Sequence, residues 1–119
     1  MKGQWTNIYS GDLPLKSWWV DSGNECEYVS IVLPEVFGIN NWIRNFSEKL
    51  AEQNVPVLAL PLYGRTAPNL DLGYGEEDLK LGRHHKNLTT LKNIIEDVSA
   101  AINWVKEKYP KKKIAIIGF

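Results

Sequence analysis

The stretch Lys113-Ile114-Ala115-Ile116-Ile117-Gly118-Phe119 carries a β-branched apolar run directly before a glycine. A run of this length and composition is typical of a buried strand. Two earlier runs of the same kind, at residues 28–33 and 55–60, are separated from it and from each other by segments with helical spacing. Strands that alternate with helices in this way predict a parallel sheet with right-handed crossovers.

Two helices are predicted between these strands. The first covers residues 41–53, and either Asn40 or Asn41 is suited to cap its start. Asn54 is suited to the left-handed conformation that closes a helix. The second helix keeps apolar residues at helical spacing for about five turns over residues 88–105. Each helix would cover the sheet as part of a crossover connection.

The remaining segments predict a hairpin and a long loop. Residues 5–20 have the pattern strand, turn, strand, so we expect an antiparallel hairpin that extends the sheet. Residues 61–86 contain several glycines and little periodicity. Connections longer than about 12 to 15 residues are usually functional or disordered. We therefore interpret this stretch as an active-site loop.

The composition excludes several classes of protein. Fourteen Lys and Arg residues balance fourteen Asp and Glu residues, so no basic surface for nucleic acid or anionic lipid is predicted. The apolar runs are far shorter than the ~20 residues that span a bilayer, and no secretory signal is visible. Cys26 is the single cysteine, which fits a reducing compartment. We expect a soluble cytoplasmic protein with no nucleic-acid or membrane partner, and the oligomeric state stays open.

The candidate site residues follow the core strands, because ligands bind beyond the carboxyl ends of strands in open parallel sheets. Glu35 follows the first core strand and is a candidate base or proton relay; the alternative is a solvated loop acid near a helix N-terminus. The Val36 backbone N–H is a candidate oxyanion donor by its position. Arg65 could dock a substrate carboxylate through its planar guanidinium, or it could be an ordinary surface arginine.

Other conspicuous residues have simpler interpretations. His84 and His85 are adjacent and have no carboxylate or cysteine at ligand spacing, so we expect solvated loop residues and no metal site. Cys26 lies in a predicted turn with nothing to activate its thiol and is expected to be inert. Large aromatic side chains are mostly buried in cores, so packing is the expected role of four tryptophans: Trp18, Trp19, Trp42 and Trp104.

Gly118 and Phe119 have the form of the first half of a nucleophile elbow, in which a Gly-x pair after a buried strand precedes the attacking residue. The chain resembles the dienelactone hydrolase family of α/β-hydrolases over about residues 6 to 119. Three motifs carry this resemblance: Leu33-Pro34-Glu35-Val36-Phe37-Gly38, Leu62-Tyr63-Gly64-Arg65 and Ile116-Ile117-Gly118-Phe119. One difference is the segment before Tyr63, which lacks the acid of the Pro-Asp-Leu-Tyr sequence common in that family.

The resemblance implies a role for each candidate residue. Glu35 would hold and then deprotonate a cysteine thiol, Arg65 would grip the substrate carboxylate, and Val36 would supply one oxyanion N–H. The elbow cysteine would come directly after Phe119, and the triad aspartate and histidine would lie downstream of it. These roles predict hydrolysis of an ester or lactone without a cofactor.

We therefore expect an α/β-hydrolase fold in part, a mostly parallel doubly wound sheet with an N-terminal antiparallel hairpin. Residues 1–119 would be the N-terminal portion of one domain and would be inactive alone. One alternative is a flavodoxin-like ligand-binding module, although residues 34–40 hold only one glycine and so lack a phosphate-binding glycine loop. Another is a catalytically dead hydrolase retained as a structural or interaction partner.

Overall fold

The computed structural model describes residues 2–23 and 25–119. Within these residues the chain forms five strands and three helices. The strands are β1 (Gln4–Ser10), β2 (Leu13–Val20), β3 (Tyr28–Leu33), β4 (Val57–Ala59) and β5 (Lys113–Gly118). The helices are α1 (Asn41–Ala51), α2 (Glu76–Leu88) and α3 (Leu91–Lys108).

The strands form one mixed sheet in the order β1-β2-β4-β3-β5. The three core strands are parallel, because β3 pairs in parallel with both β4 and β5. The β1–β2 hairpin is antiparallel, and β2 joins it to β4 in antiparallel register. Both the parallel core and the antiparallel N-terminal hairpin are confirmed.

Helices α1 and α3 cover opposite faces of the sheet, since alternate residues of a strand point to opposite sides. Ile31 of β3 belongs to a core cluster that also contains Ala101 and Val105 of α3. The next residue, Val32, belongs to a second cluster that contains Ile43 of α1. The doubly wound arrangement is therefore confirmed.

Each of these two helices begins at a side-chain cap. The Asn40 side chain accepts a hydrogen bond from the Ile43 N–H at 3.1 Å, so Asn40 is the cap of α1. Thr90 caps α3 in the same way. Asn54 has the expected positive φ of 64°. The cap, the helix and the left-handed residue thus lie close to where the sequence predicts them.

The prediction of one long loop over residues 61–86 is wrong, because residues 76–88 form α2. This helix is polar around most of its circumference, and Gly82 is its buried residue. A polar helix lacks the apolar stripe from which helical spacing is recognised. Glycine also has a low helix propensity, so Gly82 favours a loop when the sequence is considered alone. His84 and His85 therefore lie on a helix and not in a loop.

The burial that the sequence predicts for the tryptophans and for the last strand is observed only in part. Trp19 is buried in the core, whereas Trp42 is half exposed and stacks on Phe46. Strand β5 forms one edge of the sheet, and Ile116 on it is half exposed. In the part of the chain that the structure describes, every helix is too short or too polar to span a bilayer.

Candidate active site

The candidate residues lie at one edge of the sheet. The parallel strands β3, β4 and β5 end there, and so does β1, which runs antiparallel to β2. Glu35 and Val36 follow β3, and Arg65 follows β4. This is the edge at which open parallel sheets bind ligands.

Glu35 and Val36 form a tight turn with unpaired functional groups. The Glu35 carbonyl accepts a hydrogen bond from the Gly38 N–H at 3.2 Å. In a trans peptide the N–H points opposite to the carbonyl, so the Val36 N–H points away from this turn. Among the described residues neither this N–H nor the exposed Glu35 carboxylate has a hydrogen-bond partner. A donor and an acid are thus both available to a ligand.

The turn is fastened to the segment that follows β4. The Phe37 carbonyl accepts a hydrogen bond from the Leu72 N–H at 2.9 Å. Gly38 and Asp71 form an antiparallel bridge. The Asn40 side-chain amide donates to the Leu72 carbonyl at 3.0 Å. These bonds use backbone groups and the cap of α1, so they leave the Glu35 side chain free.

Arg65 is held by helix α3. Its Nη2 donates to Asp97 Oδ1 at 2.8 Å and to Glu96 Oε2 at 3.1 Å, and its Nε donates to Asp97 Oδ2 at 3.2 Å. Asp97 is fully buried. The hydrogen bonds to Asp97 are the main reason why the pKa of Arg65 lies above its ordinary value, while burial acts in the opposite direction.

The structure does not join Arg65 to Glu35. No hydrogen bond or ion pair within residues 2–23 and 25–119 links the two side chains. Arg65 lines a groove of about 770 Å³ between β1 and α3, together with Ser10 and Trp104, and that groove contains neither Glu35 nor Val36. Glu35 and Val36 therefore lie together in one turn, whereas Arg65 lies in a separate groove.

The sequence interpretation missed Asp97 as the partner of Arg65. Asp97 is four and eight residues before Ala101 and Val105, the buried residues of the same helix. An acid in register with an apolar helix face indicates a buried carboxylate, which needs a cation or several donors. This spacing was the available signal.

The two histidines differ in their contacts. His85 lies with its Nδ1 at 3.0 Å from the Thr66 hydroxyl, and His84 is exposed. Over the described ranges, no three metal-ligating side chains come together. The pair His85–Thr66 connects α2 to the turn that carries Arg65.

The comparisons with known proteins agree with this architecture. The model of the dienelactone hydrolase family matches residues 20–119. A Synechocystis sp. protein provisionally named a carboxymethylenebutenolidase is 32% identical over 93 residues, which are 76% of this chain and 38% of that protein.

Solved structures are similar in fold. A provisionally named dienelactone hydrolase of Klebsiella pneumoniae has a TM-score of 0.80 at 20% identity, over 98% of this chain and 49% of that one. An α/β serine hydrolase of Xanthomonas campestris has a TM-score of 0.65 at 13% identity, over 100% of this chain and 51% of that one.

The predicted α/β-hydrolase fold is therefore confirmed. The chain spans 38% of the curated relative's length and about half the length of these solved structures. The family match covers most of the chain and includes both candidate segments. The chain belongs to the dienelactone hydrolase family.

Proposed function

We propose that the full-length protein hydrolyses an ester or lactone carbonyl of a small molecule without a cofactor. The observation that carries this proposal is that the Glu35 carboxylate and the Val36 N–H lie next to each other at the carboxyl edge of the sheet, both without a partner in the described part of the chain. Membership of a hydrolase family supports it. A flavodoxin-like binding module is not favoured, because the relatives and structural neighbours described above are hydrolases.

The proposed reaction begins at a cysteine that would follow Gly118 and Phe119. Glu35 takes the thiol proton, and the thiolate attacks the substrate carbonyl carbon. The Val36 N–H donates a hydrogen bond to the oxyanion that forms. The C–O bond of the tetrahedral intermediate breaks to give a thioester acyl-enzyme, and the leaving alkoxide, which in a lactone stays attached to the acyl group, takes a proton from a histidine. Water that has given a proton to the same histidine then attacks the thioester and releases the acid, while an aspartate orients the histidine. Those two residues lie beyond residue 119 in this proposal, so the 119 residues alone would be inactive.

Arg65 is proposed to bind the carboxylate of an anionic substrate through a single nitrogen. Its Nε and Nη2 are bonded to α3, so a substrate carboxylate would be reached through Nη1, which has no partner within the described part of the chain. A single donor binds a carboxylate less strongly than a bidentate fork does. A preference for anionic substrates would thus be modest.

The test uses the full-length protein and a neutral aryl ester. Glu35→Gln should lower kcat/KM by about 100-fold, which is within the range for loss of a general base. Iodoacetamide should inactivate the unmodified enzyme. The matched control is Glu27→Gln, because Glu27 is an exposed acid just before the same strand and lies at its opposite end. This control should keep the original kcat/KM.

Two results would contradict the proposal. Equal kcat/KM values for Glu35→Gln and Glu27→Gln would show that Glu35 takes no part in the reaction. Insensitivity to iodoacetamide, combined with inactivation by an organophosphate, would replace the thiol with a serine nucleophile.

A further inference from the structure

Helix α2 lies directly on the Val36 backbone at Gly82. An added Cβ at Gly82 would overlap the Val36 carbonyl oxygen and lie 2.9 Å from the carbonyl carbon. It would also lie 3.0 Å from the Val36 Cβ. All three atoms belong to one residue, and two of them are backbone atoms that cannot rotate away. Only glycine therefore permits this approach of helix and turn.

The other side of the turn has a second close approach. Gly38 has a φ of +78°, and a Cβ there would overlap the Leu70 carbonyl oxygen. Leu72 donates its N–H to the Phe37 carbonyl next to this contact. The turn over residues 35–38 is thus enclosed between α2 and the segment 70–72.

We propose that Gly82 is a positioning residue, whose missing side chain lets α2 fix the Val36 backbone so that its N–H points at the developing oxyanion. This inference rests on the function proposed above. Gly82 touches no substrate and acts only through Val36.

The two peptide planes that meet at Val36 are held by different contacts. The plane before Val36 carries the N–H, and the hydrogen bond from Gly38 to the Glu35 carbonyl holds it. The plane after Val36 carries the carbonyl against which Gly82 packs. An oxyanion donor is effective only if it is oriented before the reaction. A displacement of about 1 Å at such a site can lower the rate by about 100-fold.

The experiment compares Gly82→Ala with Gly75→Ala in the full-length protein. Gly75 precedes α2 with a φ of −73°, and an added Cβ there would meet open space. Gly82→Ala should lower kcat for a neutral aryl ester by about 10-fold to 100-fold and change KM by less than about twofold. Gly75→Ala should change neither constant.

A second readout separates positioning from a general loss of structure. A trifluoromethyl ketone adds to a serine or cysteine nucleophile and forms a tetrahedral oxyanion, so its affinity reports the oxyanion donors. Its affinity for Gly82→Ala should fall by the same factor as kcat, whereas the affinity for the carboxylate product should stay unchanged. Equal losses for the ketone and the product would overturn the inference.

The possible failures are distinguishable. An unmodified enzyme that hydrolyses no ester would refute the proposed function. An active enzyme in which Gly82→Ala and Gly75→Ala behave alike would refute only the role of Gly82. If Gly82→Ala does not fold, amide hydrogen exchange of the unmodified protein decides. Slow exchange at both Gly38 and Leu72 supports a turn held before substrate arrives, and fast exchange at either of them overturns the inference.

Discussion

Two loops follow the neighbouring parallel strands β3 and β4, and they differ in whether their polar groups have partners within the protein. After β3, Glu35 and Val36 leave a carboxylate and an N–H without partners within the described chain, while backbone contacts hold the turn. After β4, Arg65 is bonded to the buried Asp97 and to Glu96. The first loop has groups available for a ligand, and the second uses its charged group to attach the loop to α3.

This difference shows that position at the carboxyl edge is not sufficient to assign a role. Both loops lie at the edge where ligands bind in such sheets. The hydrogen-bond partners and the burial of a polar group decide whether a substrate can reach it or whether it stabilises the fold. Substitutions after β3 should therefore change mainly catalysis, and substitutions after β4 should change mainly stability.

The largest effect on stability is expected for Arg65→Ala. It leaves the buried Asp97 carboxylate without its cation, and removal of one member of a buried ion pair lowers the free energy of unfolding by about 3 to 5 kcal/mol. We expect about 3 kcal/mol, near the lower limit, because 27% of the Arg65 side chain is exposed. Urea unfolding of the full-length protein measures this loss.

Arg83→Ala is the matched control, because Arg83 is an exposed arginine of α2. Its unfolding free energy should remain within about 0.5 kcal/mol of the unmodified value. The double variant Arg65→Ala with Asp97→Ala should lose less stability than Arg65→Ala alone. If the single and double variants unfold alike, the uncompensated charge is not the cause of the loss.

A smaller effect is expected at the helix caps. Asn40→Ala and Thr90→Ala should each lower the free energy of unfolding by about 1 kcal/mol, because each removes an N-cap. Asn40 also donates a hydrogen bond to the Leu72 carbonyl, beside the turn over residues 35–38. Asn40→Ala should therefore lower kcat as well, whereas Thr90→Ala should not. Steady-state kinetics and urea unfolding of both variants test this difference, and equal kcat values would show that the turn is not fastened through Asn40.

The smallest effect is expected far from both loops. The hydroxyl of Tyr109, a residue that is largely buried, donates a hydrogen bond to the Asp21 carboxylate. Although burial opposes it, this hydrogen bond contributes to lowering the pKa of Asp21 below its ordinary value. Stability from the pair is therefore present above the unfolded pKa of about 3.9 and is lost as the pH falls through the folded pKa. Tyr109→Phe should lower stability at pH 7 by about 0.5 kcal/mol, the lower limit for a protein hydrogen bond, because Asp21 is exposed and water can replace the lost donor.

The same substitution should also flatten the decrease of stability with acid. Urea midpoints between pH 7 and pH 2 measure this slope. The kcat of Tyr109→Phe should equal that of the unmodified enzyme. An unchanged acid slope would show that Tyr109 does not stabilise the ionised form of Asp21.

Much of the fold could be predicted because its signals are local. The β-branched runs of the core strands and the apolar stripe of α3 follow from side-chain spacing alone. Helix α2 could not be predicted in this way, since its buried residue is Gly82, which packs on the Val36 backbone, and the helix has no apolar stripe.

In the candidate site, too, local contacts could be predicted from the sequence and long-range contacts could not. Glu35 and Val36 are adjacent in sequence, so their proximity was certain. The partner of Arg65 is 32 residues away on helix α3, and the packing of α3 on the sheet decides that contact. Spacing predicts which residues share a face, but it does not predict which charge a buried acid binds.

The most direct test measures kcat/KM on a neutral aryl ester and the free energy of unfolding for Glu35→Gln and Arg65→Ala side by side, in the full-length protein. Glu35→Gln should lose about 100-fold in kcat/KM at unchanged stability. Arg65→Ala should lose about 3 kcal/mol of stability and less kcat/KM than Glu35→Gln. The reverse pattern, with an unstable Glu35→Gln and a stable but inactive Arg65→Ala, would contradict the division between the two loops.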